Sequence, residues 1–426
     1  MAGHTLTNQY FAAINDTNTH LADTGSAGIF GLGFPLASIV LANYFKAKFP
    51  DQPAAKRSPA PRSLSPRQSF SDLLSILPSA APPIPRAIIE NKLSEPMIAI
   101  TLQRDTVDLG GNAGMLTLGG LPDTVDPKSL TWSDVRLYDR EQANFPASFG
   151  DTHYPMYVPW ELSHRAGKAN CLLCRAWEIM IDDVYLDGER LPRTNLTPSS
   201  LDMSALLDTG NSWVRGPADV VDIVKRNILA PGSAPGSDIP SLYDCTPHTL
   251  AFEIGGKMFP IDPRDLISPG SADIQLATMD QTTQCSLNLA VKVDLPKEGE
   301  GGFLYSWKLG APFLRSVLAA YYYGDLMDPS ADRPRIGLLS TVPSDATDAM
   351  NRAIAEARAS GGFPMISESA PSGTYRVQAT DSHGVPLAPS HPPPSRNPSD
   401  SAPRTLSLST LLWTSLACLA ACTALR

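Results

Sequence analysis

Two stretches of this sequence contain Asp-Thr-Gly, LADTGSAGIFGLGF at 21–34 and ALLDTGNSWV at 205–214, and what precedes each decides what it can become. An aspartate fixed at the end of a buried strand needs apolar residues before it, and a glycine after it where a second segment comes close. Ala205-Leu206-Leu207 ahead of Asp208-Thr209-Gly210 meets both needs. The residues ahead of Asp23, NTNTHLA, are polar and make no buried strand. Asp208 is therefore expected at a strand-to-turn junction inside a core, and Asp23 in a surface turn.

Around this junction the chain reads as mostly β. AWEIMIDDVYLDGERLP (176–192) and TLAFEIGGKMFPIDPRDLI (249–267) are hairpins around Asp187-Gly188 and Gly255-Gly256. A helix opened by Pro217 follows the Asp208 turn, with Val220, Val221, Ile223 and Val224 on its inner side. Upstream, a helix after the prolines at 82–85 leads into an alternating strand at Met97, Ile98, Ile100 and Leu102. GMLTLGGL (114–121) and SLTWSDVRLYD (129–139) are further strands. LYSWKLGAPFLRSVLAAYYYGD (304–325) and RPRIGLLS (333–340) complete the pattern. Residues 38–72, with Pro53, Pro59, Pro61 and Pro66 among basic residues, read as a surface loop or insertion. Residues 158–175 read as a second insertion, compatible with translated intron, which would leave Cys171 and Cys174 without a role.

With 426 residues and 42% hydrophobic content the chain can fill two domains. Only 18% of it is charged and the net charge is −9, a balance that argues against nucleic acid and suits a secreted or surface protein working in acid. The sequons at Asn15 and Asn195 fit a secretory route, yet MAGHTLTNQYFAAIN is not a signal peptide. Beyond 343 a short helical stretch gives way to Pro/Ser-rich, disorder-prone sequence up to 404. Residues 405–425 are apolar, uncharged and just long enough to cross a bilayer, as a transmembrane helix or a cleaved GPI-attachment signal. An apolar tail without a leader suggests a chain cut short at its start. Cys245 and Cys285 are spaced either as one loop-closing disulfide or as two free core thiols.

The chemistry open to such an aspartate is the activation of water. Two carboxylates about 3 Å apart cannot both ionise, so they share a proton. One then acts as base toward water while the other donates to the carbonyl oxygen of a peptide. Metal and cofactor have no part in that reaction, and neither is expected here.

Residues 176–340 resemble the C-terminal lobe of the pepsin-like (A1 family) aspartic proteases, the fungal members in particular. The matching stretches are WEIMIDDVYLDG, ALLDTGNSWVRGP, the Cys245/Cys285 pair and WKLGAPFLRSVLAAYYYGD. The resemblance implies an all-β, two-lobe fold, a Cys245–Cys285 disulfide, and Asp208 as one half of the dyad, with Thr209 and Gly210 shaping its turn. It also implies an apolar strand crossing beside the turn, here WKLG ending at Gly310. Asn211 stands where the family has Thr or Ser, which questions a secondary hydrogen bond to the carboxylate. GIFGLGFP (28–35) resembles the crossing strand of the N-terminal lobe, so Asp23 stands too close to it to be the first catalytic aspartate. On this alignment the first Asp and the flap are missing.

The expected organisation is a partial N-terminal lobe at 1–145 with a Pro-rich insertion near 38–80 and a C-terminal lobe at 146–343. A Pro/Ser-rich linker at 344–404 and the hydrophobic tail at 405–426 follow. The implied function is endopeptidase action on proteins or peptides, by a monomer in the secretory pathway or at the cell surface and anchored in the membrane through its tail. As written the chain is expected to be inactive. A non-catalytic surface binding module and a homodimer pooling two Asp208 are the alternatives.

Overall fold

The computed structural model describes residues 5–11, 29–35, 38, 40, 79–102, 114–138, 173–228, 243–269, 284–297, 303–326 and 331–360. Asp23, Cys171, most of 38–80, residues 158–172 and the tail from 361 onward, including 405–426, lie outside them. Among the described residues no helix is long and apolar enough to cross a membrane.

Helix α1 (Pro83–Ile89) starts where Pro82 sets the entry and prolines occupy its first turn. Strands β1 (Met97–Thr101), β2 (Met115–Leu118) and β3 (Thr131–Tyr138) follow. Then come β4 (Leu173–Met180) and the hairpin of β5 (Asp183–Leu186) and β6 (Glu189–Arg190), whose turn places Asp187 and Gly188 at φ 52° and 85°. Positive φ at both turn positions gives a hairpin with the twist of its strands. Next are β7 (Ser204–Leu207), β8 (Val214–Gly216) and helix α2 (Ala218–Asn227), which buries Val220, Val221 and Val224. Strand β9 (Tyr243–Asp244) precedes a second tight hairpin, β10 (Leu250–Ile254) and β11 (Lys257–Pro260). The chain continues through α3 (Pro263–Leu266), β12 (Ile267–Pro269), β13 (Gln284–Leu287) and β14 (Leu289–Val291). It ends with β15 (Trp307–Leu309), α4 (Ala311–Leu314), β16 (Val317–Tyr322), β17 (Arg335–Ser340) and α5 (Ala346–Ser360).

The described molecule is thus mostly β around one large mixed sheet, ordered β2-β1-β16-β17-β3-β4-β7-β15-β8-β14. The last two strands among the described residues, β16 and β17, lie between β1 and β3. Met97–Thr101 pairs antiparallel with Leu318–Tyr322, and β17 pairs with β3. Strand β1 is buried throughout rather than on alternate residues, because both faces are covered. Ile98 and Ile100 join the main core, while Met97 and Ala99 pack with Leu130, Leu318 and Ala320 on the other side. A smaller sheet (β11-β10-β5-β6) and a three-stranded one (β12-β13-β9) flank the large sheet. Cys245 and Cys285 are joined by a disulfide that ties the end of β9 to β13 across a sequence separation of 40.

Two sequence expectations are corrected here. The crossing strand expected at 28–35 is not a strand over the described residues 29–35. That segment instead offers the Leu32 carbonyl to the Trp177 indole N–H (2.9 Å) and the Tyr323 hydroxyl (2.8 Å), and wedges Phe34 4.3 Å from the Trp177 ring. The insertion boundary at 175 falls inside β4, since Leu173 and Cys174 pair with Tyr138 and Leu137. The helical stretch expected beyond 343 is a 15-residue helix, and its Met350 and Ile354 belong to the main core.

Candidate active site

Asp208 stands one residue beyond β7, whose Ala205 and Leu207 are buried in the core. The strand runs parallel to β15, with Ala205 opposite Trp307 and Leu207 opposite Leu309. The Asp208 N–H prolongs the ladder by donating to the Leu309 carbonyl at 3.0 Å. β15 also pairs antiparallel with β8, so it passes between the strands that lead into and out of the Asp208 turn. The close passage depends on Gly310. A Cβ there would lie 2.2 Å from the Asn211 carbonyl oxygen and 2.3 Å from that of Trp213. Such contact is far inside van der Waals distance, and the nearby atoms are backbone, which cannot swing away.

Within the turn, the Gly210 N–H donates to Asp208 Oδ1 at 2.9 Å and the Asn211 N–H to the Asp208 carbonyl at 3.1 Å. Asp208 is half-buried as a residue. Burial raises its pKa above the ordinary 3.8, while the Gly210 N–H and the charges of Lys308 and Arg215 oppose the rise. Asn211 does not bond the carboxylate. Its Oδ1 accepts from Arg215 Nε at 3.3 Å, and its buried Nδ2 has no partner among the described residues. The Tyr321 hydroxyl is likewise buried without a partner among the described residues, its pKa raised by burial and then by the Asp208 charge.

The sequence did not mark the charged surroundings of this turn. Residues opposed in a ladder share one face of the sheet. Glu178 (β4), Leu206 (β7), Lys308 (β15), Arg215 (β8) and Ala290 (β14) form such a row across five strands. Side-chain alternation brings Asp208 to the same face as Leu206. At one end of the row, buried Glu178 is paired with Arg136 Nε at 2.6 Å and accepts from Ser204 Oγ at 2.6 Å and from the Tyr138 hydroxyl. Toward the other end, Lys292 and Lys308 are both buried against the Tyr305 ring, 4.8 and 5.7 Å from its centroid. Asp294 reaches both ammonium groups, at 3.3 and 4.0 Å. Burial lowers the Lys292 pKa, with Asp294 opposing. The available signal was the polar residue of WKLG, set between two core positions in a strand with neighbours on both sides.

Asp208 therefore sits at a strand end with its backbone fixed from two directions and the charges of Lys308 and Arg215 acting on its carboxyl group. Asp23 lies outside the described residues. Among the described residues no set of three His, Cys, Asp or Glu comes together as metal ligands.

Models of known protein families give no match to the chain. Two curated fungal proteins are similar over part of it. One, named "Probable aspartic-type endopeptidase CTSD", from Arthroderma otae, is 28% identical over 197 residues, which is 45% of this chain and 44% of that protein. The other, named "Probable aspartic-type endopeptidase", from Aspergillus fumigatus, is 26% identical over 244 residues, 57% of this chain and 45% of that protein. The chain thus spans under half the length of each relative it matches.

Proposed function

We propose that this chain carries the C-terminal half of a pepsin-like aspartic endopeptidase site, with Asp208 as one of two carboxylates that would activate a water molecule against a peptide carbonyl. The observation that carries this reading is the Asp208 turn held against β15 by the Asp208 N–H and by the close approach at Gly310. Thr209 and Gly210 shape the turn. The two fungal relatives named as aspartic-type endopeptidases support the reaction class. By the same resemblance the substrates are proteins or peptides with apolar residues flanking the cut. Passage through the secretory pathway, a membrane anchor at 405–426 and a monomeric state belong to the proposal.

By itself the chain does not hydrolyse peptides in this reading. A shared-proton dyad needs a second carboxylate within about 3 Å. The charges acting on Asp208 among the described residues are those of Lys308 and Arg215. This cationic setting also favours a second role, a surface module that binds peptides without cutting them.

The test is acid-pH hydrolysis of a quenched apolar peptide, with and without a statine-type transition-state analogue. The expected result is no rate above that of Asp208→Asn. Inhibitable hydrolysis lost in both Asp208→Asn and Asp23→Asn would overturn the inactivity and make Asp23 the partner. Hydrolysis lost in Asp208→Asn, kept in Asp23→Asn and rising with the square of chain concentration would point to two pooled Asp208. Saturable binding of the peptide without cleavage would favour the module.

A further inference from the structure

We propose that Lys308 is a positioning residue for Asp208, opposing from the neighbouring strand the effect of burial on its carboxyl group, and that Asp294 sets how much of the Lys308 charge Asp208 feels. The proposal rests on the reading of Asp208 as the reacting carboxylate, but its test does not require hydrolysis.

The argument starts with register. Lys308 lies opposite Leu206 in the parallel pair of β15 and β7, and Leu206 is two residues before Asp208. Trp307 and Leu309, on either side of Lys308, point into the core, as do Ala205 and Leu207. Alternation then leaves Lys308, Leu206 and Asp208 on the opposite face, with Lys308 diagonal to Asp208 across one strand spacing. Arg215 flanks Lys308 from β8.

Lys308 cannot retreat into water. Its side chain is 5% exposed and its ammonium stands over Tyr305. A buried ammonium needs a counter-charge. Asp294 Oδ2 is 4.0 Å away but is shared with Lys292, which it meets at 3.3 Å. One exposed carboxylate thus serves two buried cations; Glu178 also acts on Lys292, and Asp208 is an acid on which the Lys308 charge acts. The groups that interact electrostatically with Asp208 are Lys308 and Arg215 as cations and the phenols of Tyr305 and Tyr321, and Asp294 and Glu178 act in turn on Tyr305 and Lys292. Burial outweighs the two cations, so the Asp208 pKa is still raised. Lys308 therefore moderates the burial rather than reversing it.

The two parts of this device move Asp208 in opposite directions, which a merely structural role would not do. Asp208 would be read by carboxyl-carbon NMR titration of the full chain labelled at aspartate, with its signal identified by its loss in Asp208→Asn. Lys308→Met is expected to raise the Asp208 midpoint by about one pH unit, as removal of an adjacent opposite charge does. Asp294→Asn, at a 60% exposed side chain, is expected to lower it, because both lysines lose their shared counter-ion. An unmoved or lowered midpoint in Lys308→Met would overturn the proposal. Should Lys308→Met fail to fold, an unmoved or raised midpoint in Asp294→Asn would overturn it. Absence of hydrolysis in the parent chain leaves both outcomes readable, so this proposal and the endopeptidase reading fail separately.

Discussion

Two residues decide most about the Asp208 turn, and they act by different physics. Gly310 acts through space. Gly310→Ala is expected to cost about 3 kcal/mol of stability, the upper range for forcing atoms into a packed site, as read by urea unfolding. Asp208 acts through charge. Its raised pKa makes the native state hold the proton more tightly than the unfolded chain does. The stability from this group is full below the ordinary value of 3.8 and lost as pH rises through the higher native value. Asp208→Asn should therefore gain stability relative to the parent as pH increases across that window, in denaturant titrations at a series of pH values. Equal pH dependence for both would contradict the burial described here. Asp208 was legible because an apolar run, a turn triplet and a later WKLG all occur in the linear sequence. Lys308 and Glu178 were not, because their meaning comes from register between strands far apart in sequence. Read along the chain, each is one polar residue in an otherwise ordinary strand.

Elements with local causes were equally legible. The hairpins at Asp187-Gly188 and Gly255-Gly256 and the helix after Pro217 form from turn chemistry and periodicity within a few residues. What escaped was set by tertiary partners. The 29–35 segment has an apolar, strand-like sequence, yet it is fixed by one carbonyl between Trp177 and Tyr323. The sequence predicts a short helical stretch at α5, but not its anchoring in the core through Met350 and Ile354. Met350→Ala is expected to cost about 3 kcal/mol in unfolding experiments, since the side chain is fully buried. The disulfide between β9 and β13 closes a loop whose entropy is worth ~4 kcal/mol. Cys245→Ala with Cys285→Ala should lower stability by about that amount, and added reductant should then have no further effect.

For the whole molecule, the large sheet makes the two ends of the described chain interdependent. Strand β16 pairs with β1 on one side, and β17 with β3 on the other. A fragment ending at 150 would leave β1 and β3 without those neighbours, and one starting at 151 would expose β16 and β17 as open edges, which invite aggregation. The fragments 1–150 and 151–426 are expected to copurify when coexpressed, and the second alone to be insoluble. A soluble, cooperatively unfolding 151–426 would show that the second part needs no interleaving.

That threading also sets a timetable for biosynthesis. While the ribosome is still adding residues before Val317, β1 and β3 have been made but lack the two strands that join them. Their pairings span most of the described chain, and contacts so distant in sequence form slowly. The final sheet is thus closed only after Val317–Ser340 has emerged. Until then the nascent polypeptide carries unsatisfied strand edges, which makes it a natural client for chaperones that shield such edges.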